Sequence, residues 1–166
     1  MDSNLPAYHI YRISELYYSF VTDSGTEYEC SFQSYAEYFY EYPEIASKVF
    51  SLNLSVINSS KKITGTDKRI ALTVIKIVGD FLNSKINAVV YVCDPSDGKG
   101  LVRARKFKSW FDYVTHPSHQ IIEVSTGFDA GGIRLYTVLL VHKKNKLKKQ
   151  FIRAYIELTN FDDDEK

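Results

Sequence analysis

Lys99, Arg103 and Lys106 share one face of an amphipathic helix predicted over residues 99–114, and Arg105 and Lys108 add to its charge. Cations at this spacing neutralise phosphate, in a nucleotide-bearing ligand or along a nucleic acid, and they serve equally well as a solvated outer face. The polar loop Asp94-Pro95-Ser96-Asp97-Gly98-Lys99-Gly100 precedes the helix and follows the apolar run Ala88–Cys93. Backbone N–H groups left free where such a loop opens a helix favour an anion. Asp94 and Asp97 lack the spacing of an EF-hand, and the loop lacks the phosphate-loop pattern, so a self-capping turn is expected there. His116 and His119 have an HxxH spacing with no further ligand nearby, and no metal is expected. No Ser/His/Asp or Cys/His order suggests a hydrolase.

The net charge of +1 conceals a division. Residues 1–45 hold eight acids and one base, Arg12, whereas residues 46–161 hold nineteen bases and eight acids. Nine of the thirteen tyrosines lie between residues 8 and 42, interleaved with the acids. Carboxylates and aromatic faces together suit a basic amine acceptor, and the same tyrosines suit plain packing on strands. Lys143, Lys144, Lys146, Lys148, Lys149 and Arg153 gather at the start of the last predicted helix, where positive charge opposes the helix dipole. An anionic partner, or the acidic tail at 161–166 folding back, would relieve that opposition.

The elements that must position these groups follow from periodicity. Residues 16–22 and 26–32 flank Asp23-Ser24-Gly25 as a hairpin. A short helix is expected over 34–42, ending before Pro43. Residues 48–57 alternate, with Phe50, Leu52, Leu54 and Val56 on one face, and predict a strand. A helix follows over 67–83, capped by Thr66 or Asp67, with a polar stripe of Arg69, Thr73, Lys76, Asp80 and Asn83. Strand 86–93, helix 99–114, strands 119–126 and 133–143 joined by a flexible loop at 128–132, and helix 146–159 complete the chain. The order is β-β-(α)-β-α-β-α-β-β-α. It implies a single α+β (mixed α/β) domain over 1–166, a central mixed and mostly antiparallel sheet with helices on its faces, and parallel strands either side of helix 67–83.

No apolar run reaches membrane-spanning length, and no membrane association is expected. The first residues lack the charge and apolar pattern of a secretory signal, and Cys30 and Cys93 have no CxxC spacing. Buried free thiols in a cytoplasmic protein are the expectation.

Over residues 16–143 this order resembles the GCN5-related N-acetyltransferase (GNAT) family. The resemblance implies an acyl-CoA-dependent N-acyltransferase acting on an amine, with acetyl-CoA or another acyl-CoA lying between strands 48–57 and 86–93. That family binds pyrophosphate on a Gln/Arg-x-x-Gly-x-Gly/Ala turn. Here the turn reads Lys62-Ile63-Thr64-Gly65-Thr66-Asp67 and runs on into Lys68 and Arg69. The resemblance thus implies Lys62, Gly65, Thr66, Lys68 and Arg69 as the cofactor contacts. Asp67 departs from the pattern: a carboxylate there repels phosphate, whereas as a helix N-cap it is ordinary. The family's acid is often a Tyr on the following helix. Residues 105–111 contain none, and Tyr113 is the nearest hydroxyl. Strand 48–57 carries no acid or His, which leaves Glu41 and Glu44 as bases acting through water. With its catalytic motifs degenerate, the chain also fits a non-catalytic GNAT-like module for nucleic acid or a protein partner. A second resemblance is to a group of uncharacterised small Bacteroidota proteins, through Cys93-Asp94-x-x-Asp97-Gly98-Lys99-x-x-x-Arg103-x-Arg105-x-Phe107-x-x-Trp110-Phe111.

Overall fold

The computed structural model describes residues 6–59, 67–93, 102, 105–107, 109, 120–130 and 132–159. A seven-stranded sheet forms from β1 (Tyr11–Arg12), β2 (Tyr17–Val21), β3 (Glu27–Ser34), β4 (Val49–Asn58), β5 (Ala88–Cys93), β6 (Ile121–Ala130) and β7 (Ile133–His142). Its spatial order is β1-β2-β3-β4-β5-β7-β6. Every neighbouring pair is antiparallel except β4 and β5, which run parallel on either side of helix α1 (Lys68–Leu82). A second helix, α2 (Lys148–Thr159), follows β7, and residues 105–107 are helical. The protein is therefore mixed α/β with a mostly antiparallel sheet.

The two helices cover opposite faces. On α1, Ala71, Val74, Ile75, Val78 and Leu82 recur at helical spacing and are buried. Of these, Val74, Ile75, Val78 and Leu82 pack with Phe20, Cys30, Phe32, Leu52, Val89 and Leu140. The alternate residues of the same strands, Ala88, Val90, Leu139 and Val141, meet Phe151, Ala154 and Tyr155 of α2. A sheet sandwiched in this way explains why β5 reads as a continuous apolar run. Cys30 and Cys93 are buried free thiols, and burial pushes Cys30 up to about 12.

The short helix, the loop at 128–132 and the start of the sheet take the following form. The short helix expected over 34–42 is present as a 3-10 helix, Ala36–Phe39, confined between the end of β3 at Ser34 and Pro43. The expected loop at 128–132 is largely strand: Asp129 pairs with Arg134 and Ala130 with Ile133. Before the return strand, Gly132 takes a positive φ of 80° that glycine adopts at no steric cost. The edge strand β1, only two residues long, has no periodic signal to announce it. Of the helix predicted over 99–114, the described residues 102, 105–107 and 109 are helical, and the rest lies outside the described residues.

The junction of β7 and α2 is built from polar side chains. Asn145 is buried, accepts the Leu147 N–H at 2.9 Å and donates from Nδ2 to the Asn87 carbonyl at 3.3 Å. Buried His142 accepts the Lys144 N–H on Nδ1 at 3.0 Å, so its neutral form is the one used. Burial, then Lys85 and Lys144, lower its pKa from the ordinary 6.5. With a lowered value the unfolded chain takes up this proton first as pH falls. His142 therefore contributes stability that is whole above about pH 6.5 and is lost below it, with a slope no steeper than about 1.4 kcal/mol per pH unit. Urea unfolding between pH 7.5 and 5.5 should show this fall. It should be missing in His142→Asn, whose Oδ1 can accept the same N–H; an equal fall in that variant would assign the effect elsewhere.

Candidate functional site

β4 and β5 form a fork. Their parallel ladder holds only three pairs, Val49↔Ala88, Phe50↔Val89 and Ser51↔Val90. Beyond it neither strand frays. β4 stays paired with β3 as far as Glu27↔Asn58, and β5 stays paired with β7 as far as Cys93↔Tyr136. Each strand keeps its outer partner and loses its inner one, so the sheet divides in two at Ser51 and Val90. A bulge in the β3–β4 ladder between Glu27 and Tyr28 adds local twist. Among the described residues, no strand pairs with positions 52–58 of β4 on the β5 side. A strand edge of that kind can hydrogen-bond an extended, amide-bearing ligand. Val56 and Ile57 at its end are about half exposed.

The N-terminus of α1 follows the diverging end of β4. Asp67 caps it: Oδ1 accepts the Arg69 N–H at 2.9 Å. Its Oδ2 accepts from the Tyr8 hydroxyl at 2.5 Å. The Tyr8 pKa is raised, by burial first and then by this bond to Asp67. Arg69 meets Asp23 at 2.8 Å, donates from Nε to the Pro6 carbonyl at 2.8 Å, and lies 3.9 Å over the Tyr8 ring. The Tyr8 N–H reaches Thr73 Oγ1 at 2.9 Å. A carboxylate of the chain itself thus occupies the position where the helix dipole favours an anion. The surrounding groups clasp residues 6–8 and the β2–β3 turn onto α1.

Among the described residues, those singled out in the sequence are dispersed. Lys68 is exposed at the first turn of α1, and Arg69 is committed to the clasp. Lys62, Gly65 and Thr66 lie outside the described residues, as do Lys99, Arg103 and Tyr113. Lys106 is exposed on a helical residue, and its neighbour Phe107 is buried against Tyr91 with ring centroids 4.1 Å apart. Glu41 accepts from the Tyr40 hydroxyl at 3.2 Å, and Glu44 lies beside Tyr42 and Arg153. Both precede the first residue of β4, at the paired end of the fork. A ten-residue strand, ~30 Å long, separates that end from Asp67. The acidic tail at 161–166 lies outside the described residues.

Sequence reading missed two groups. Tyr91 is the first β5 residue past the ladder and is half-buried. Glu29 of β3 stands across from Ser55, in the diverging part of β4, and cross-strand partners share a face. Strand register brings Glu29 there, and no local pattern encodes register. Among the described residues no cluster of His, Cys, Asp or Glu could hold a metal, and no helix is long and apolar enough to cross a membrane.

Fold and site together define a mixed α/β protein with a forked, mostly antiparallel sheet and a self-capped helix at the mouth of the fork. The chain belongs to a family of unknown function, DUF6169, whose model matches residues 66–157. The matched segment holds α1, β5, β6, β7 and most of α2, and β1–β4 precede it. No curated protein matches the chain, and no solved structure does.

Proposed function

We propose that this is a divergent GNAT-like protein that binds acyl-CoA in the fork and transfers the acyl group to an amine. The observation that carries this reading is the three-pair ladder between two strands that each keep their other partner. The amides of the CoA arm would lie along positions 52–58 of β4. The pyrophosphate would meet the backbone over Gly65–Lys68, with Lys62, Thr66 and Arg69 around it. In the transfer the amine nitrogen bonds to the thioester carbonyl carbon, the C–S bond breaks, and the departing sulfur takes a proton. Glu29 would hold or deprotonate the amine, a role that Glu41 and Glu44 could fill only from the far end of β4. Tyr91 would offer a hydroxyl just past the division, in the role that the family resemblance gives Tyr113. The acidic, tyrosine-rich N-terminal half suits a basic acceptor, and two buried free thiols suit a cytoplasmic setting.

A second reading is a non-catalytic GNAT-like module that binds nucleic acid through Lys99, Arg103 and Lys106, or a protein partner. The carboxylate of Asp67 at the mouth of the fork favours it.

Thermal unfolding separates the two. Acetyl-CoA at a hundred times its Kd should raise Tm by about 5–10 °C. Glu29→Gln should keep that rise and lose acetyl transfer to polyamines or Lys-rich peptides. Unchanged Tm with acetyl-CoA, together with salt-sensitive retention on DNA or RNA, would replace the first reading with the second.

A further inference from the structure

A cleft of about 810 Å³ lies between residues 7–12 and the C-terminal half of α1, and none of its lining residues belongs to β4 or β5. We propose that it is a second binding site, for a small zwitterion of the amino-acid class. Three observations support this.

The first is charge. Lys76 and Asp80 both line the cleft, one helical turn apart, with their side chains exposed. Residues at this spacing can pair along a helix. Here the two side chains form neither an ion pair nor a hydrogen bond among the described residues, unlike Arg69 and Arg153, whose carboxylate partners sit at 2.8 and 3.0 Å. Arg12 lines the facing wall, with its guanidinium carbon 5.9 Å from the Tyr18 ring centroid. Two cations and one carboxylate around a single cleft suit a ligand with both an acid and an ammonium group: the acid toward Arg12 and Lys76, the ammonium toward Asp80.

The second is Gly79. Glycine is a destabilising choice in the interior of a helix, and it is usually explained by close packing. Here a Cβ built at Gly79 meets no atom within 4 Å, so no neighbour requires the glycine. What the missing side chain does provide is room in the cleft that Gly79 lines.

The third is shape and lining. The volume falls in the range of small-molecule sites, and Tyr18, Ile10 and Ile77 give apolar wall beside the charges. The polar stripe of α1 therefore has two uses. Its N-terminal members, Arg69 and Thr73, fasten residues 6–8, and Lys76, Asp80 and Asn83 border the cleft.

The full chain is tested by thermal unfolding against each of the twenty proteinogenic L-amino acids at 10 mM. At least one should raise Tm by about 3–6 °C, as expected for a Kd of about 1 mM. Its N-acetyl derivative, which lacks the ammonium, should give no rise, and Asp80→Asn should weaken binding about tenfold or more. Gly79→Leu should fold with an equal or higher Tm, because leucine is a better helix former and its Cβ has space, and should show no response. No rise with any amino acid overturns the proposal. So does an undiminished rise with the N-acetyl derivative, or one that survives in Gly79→Leu. The probes contain no CoA, so the result is independent of the fork.

Discussion

Phe32→Ala should destabilise the chain by about 3–5 kcal/mol, a fall in Tm of roughly 6–20 °C for a chain of this size. Phe32 is 1% exposed and sits where three elements meet. Its ring stacks on Phe81 of α1 with centroids 3.9 Å apart and planes 5° from parallel, and it meets the Tyr18 ring of β2 edge-on at 6.0 Å. Phe81 in turn meets Phe50 of β4 at 5.3 Å. Truncation loses the transfer energy of the ring, leaves a cavity under a helix that has little freedom to settle, and removes aromatic contacts worth about 0.5–1.5 kcal/mol per pair. Urea unfolding should show a lower midpoint with an unchanged slope. A loss under ~1 kcal/mol would mean that this junction is not closely packed.

Asp67→Asn should tighten CoA binding about tenfold. Asparagine caps a helix about as well as aspartate, so the Arg69 N–H keeps an acceptor, and the new amide can donate to the Tyr8 oxygen. What changes is one negative charge at the mouth of the fork. At ~10 Å from a phosphate and an effective dielectric of ~20, that charge opposes binding by roughly 1.7 kcal/mol. Calorimetric titration with CoA checks the gain. Pantetheine, which has no phosphate, should bind both proteins equally. Weaker CoA binding in the variant would remove the pyrophosphate from this helix end.

The sequence carries this fold to the extent that its strands and helices announce themselves one at a time. The alternation of Phe50, Leu52 and Leu54, the 3- and 4-residue steps along α1 and the cap at Asp67 are all local signals, and each element stands within a few residues of its expected place. Parallel pairing of β4 and β5 follows from the helix between them. The division of the sheet is different, because it depends on where pairing stops. So does the setting of Glu29 across from Ser55, which is fixed by register between strands. The role of Tyr8 was hidden for a related reason: its partners Asp67 and Thr73 lie about sixty residues away in sequence. Residues 7–12 carry no periodicity, and yet they form one wall of the cleft.

The three-pair seam between β4 and β5 has a mechanical consequence. So short a ladder is a weak joint between two half-sheets, and α1 lies across it as a splint, touching Phe32 and Leu52 on one side and Val89 and Leu140 on the other. Loosening that splint will let the prongs open or close. Affinity at the mouth should therefore respond to core substitutions that never approach a ligand.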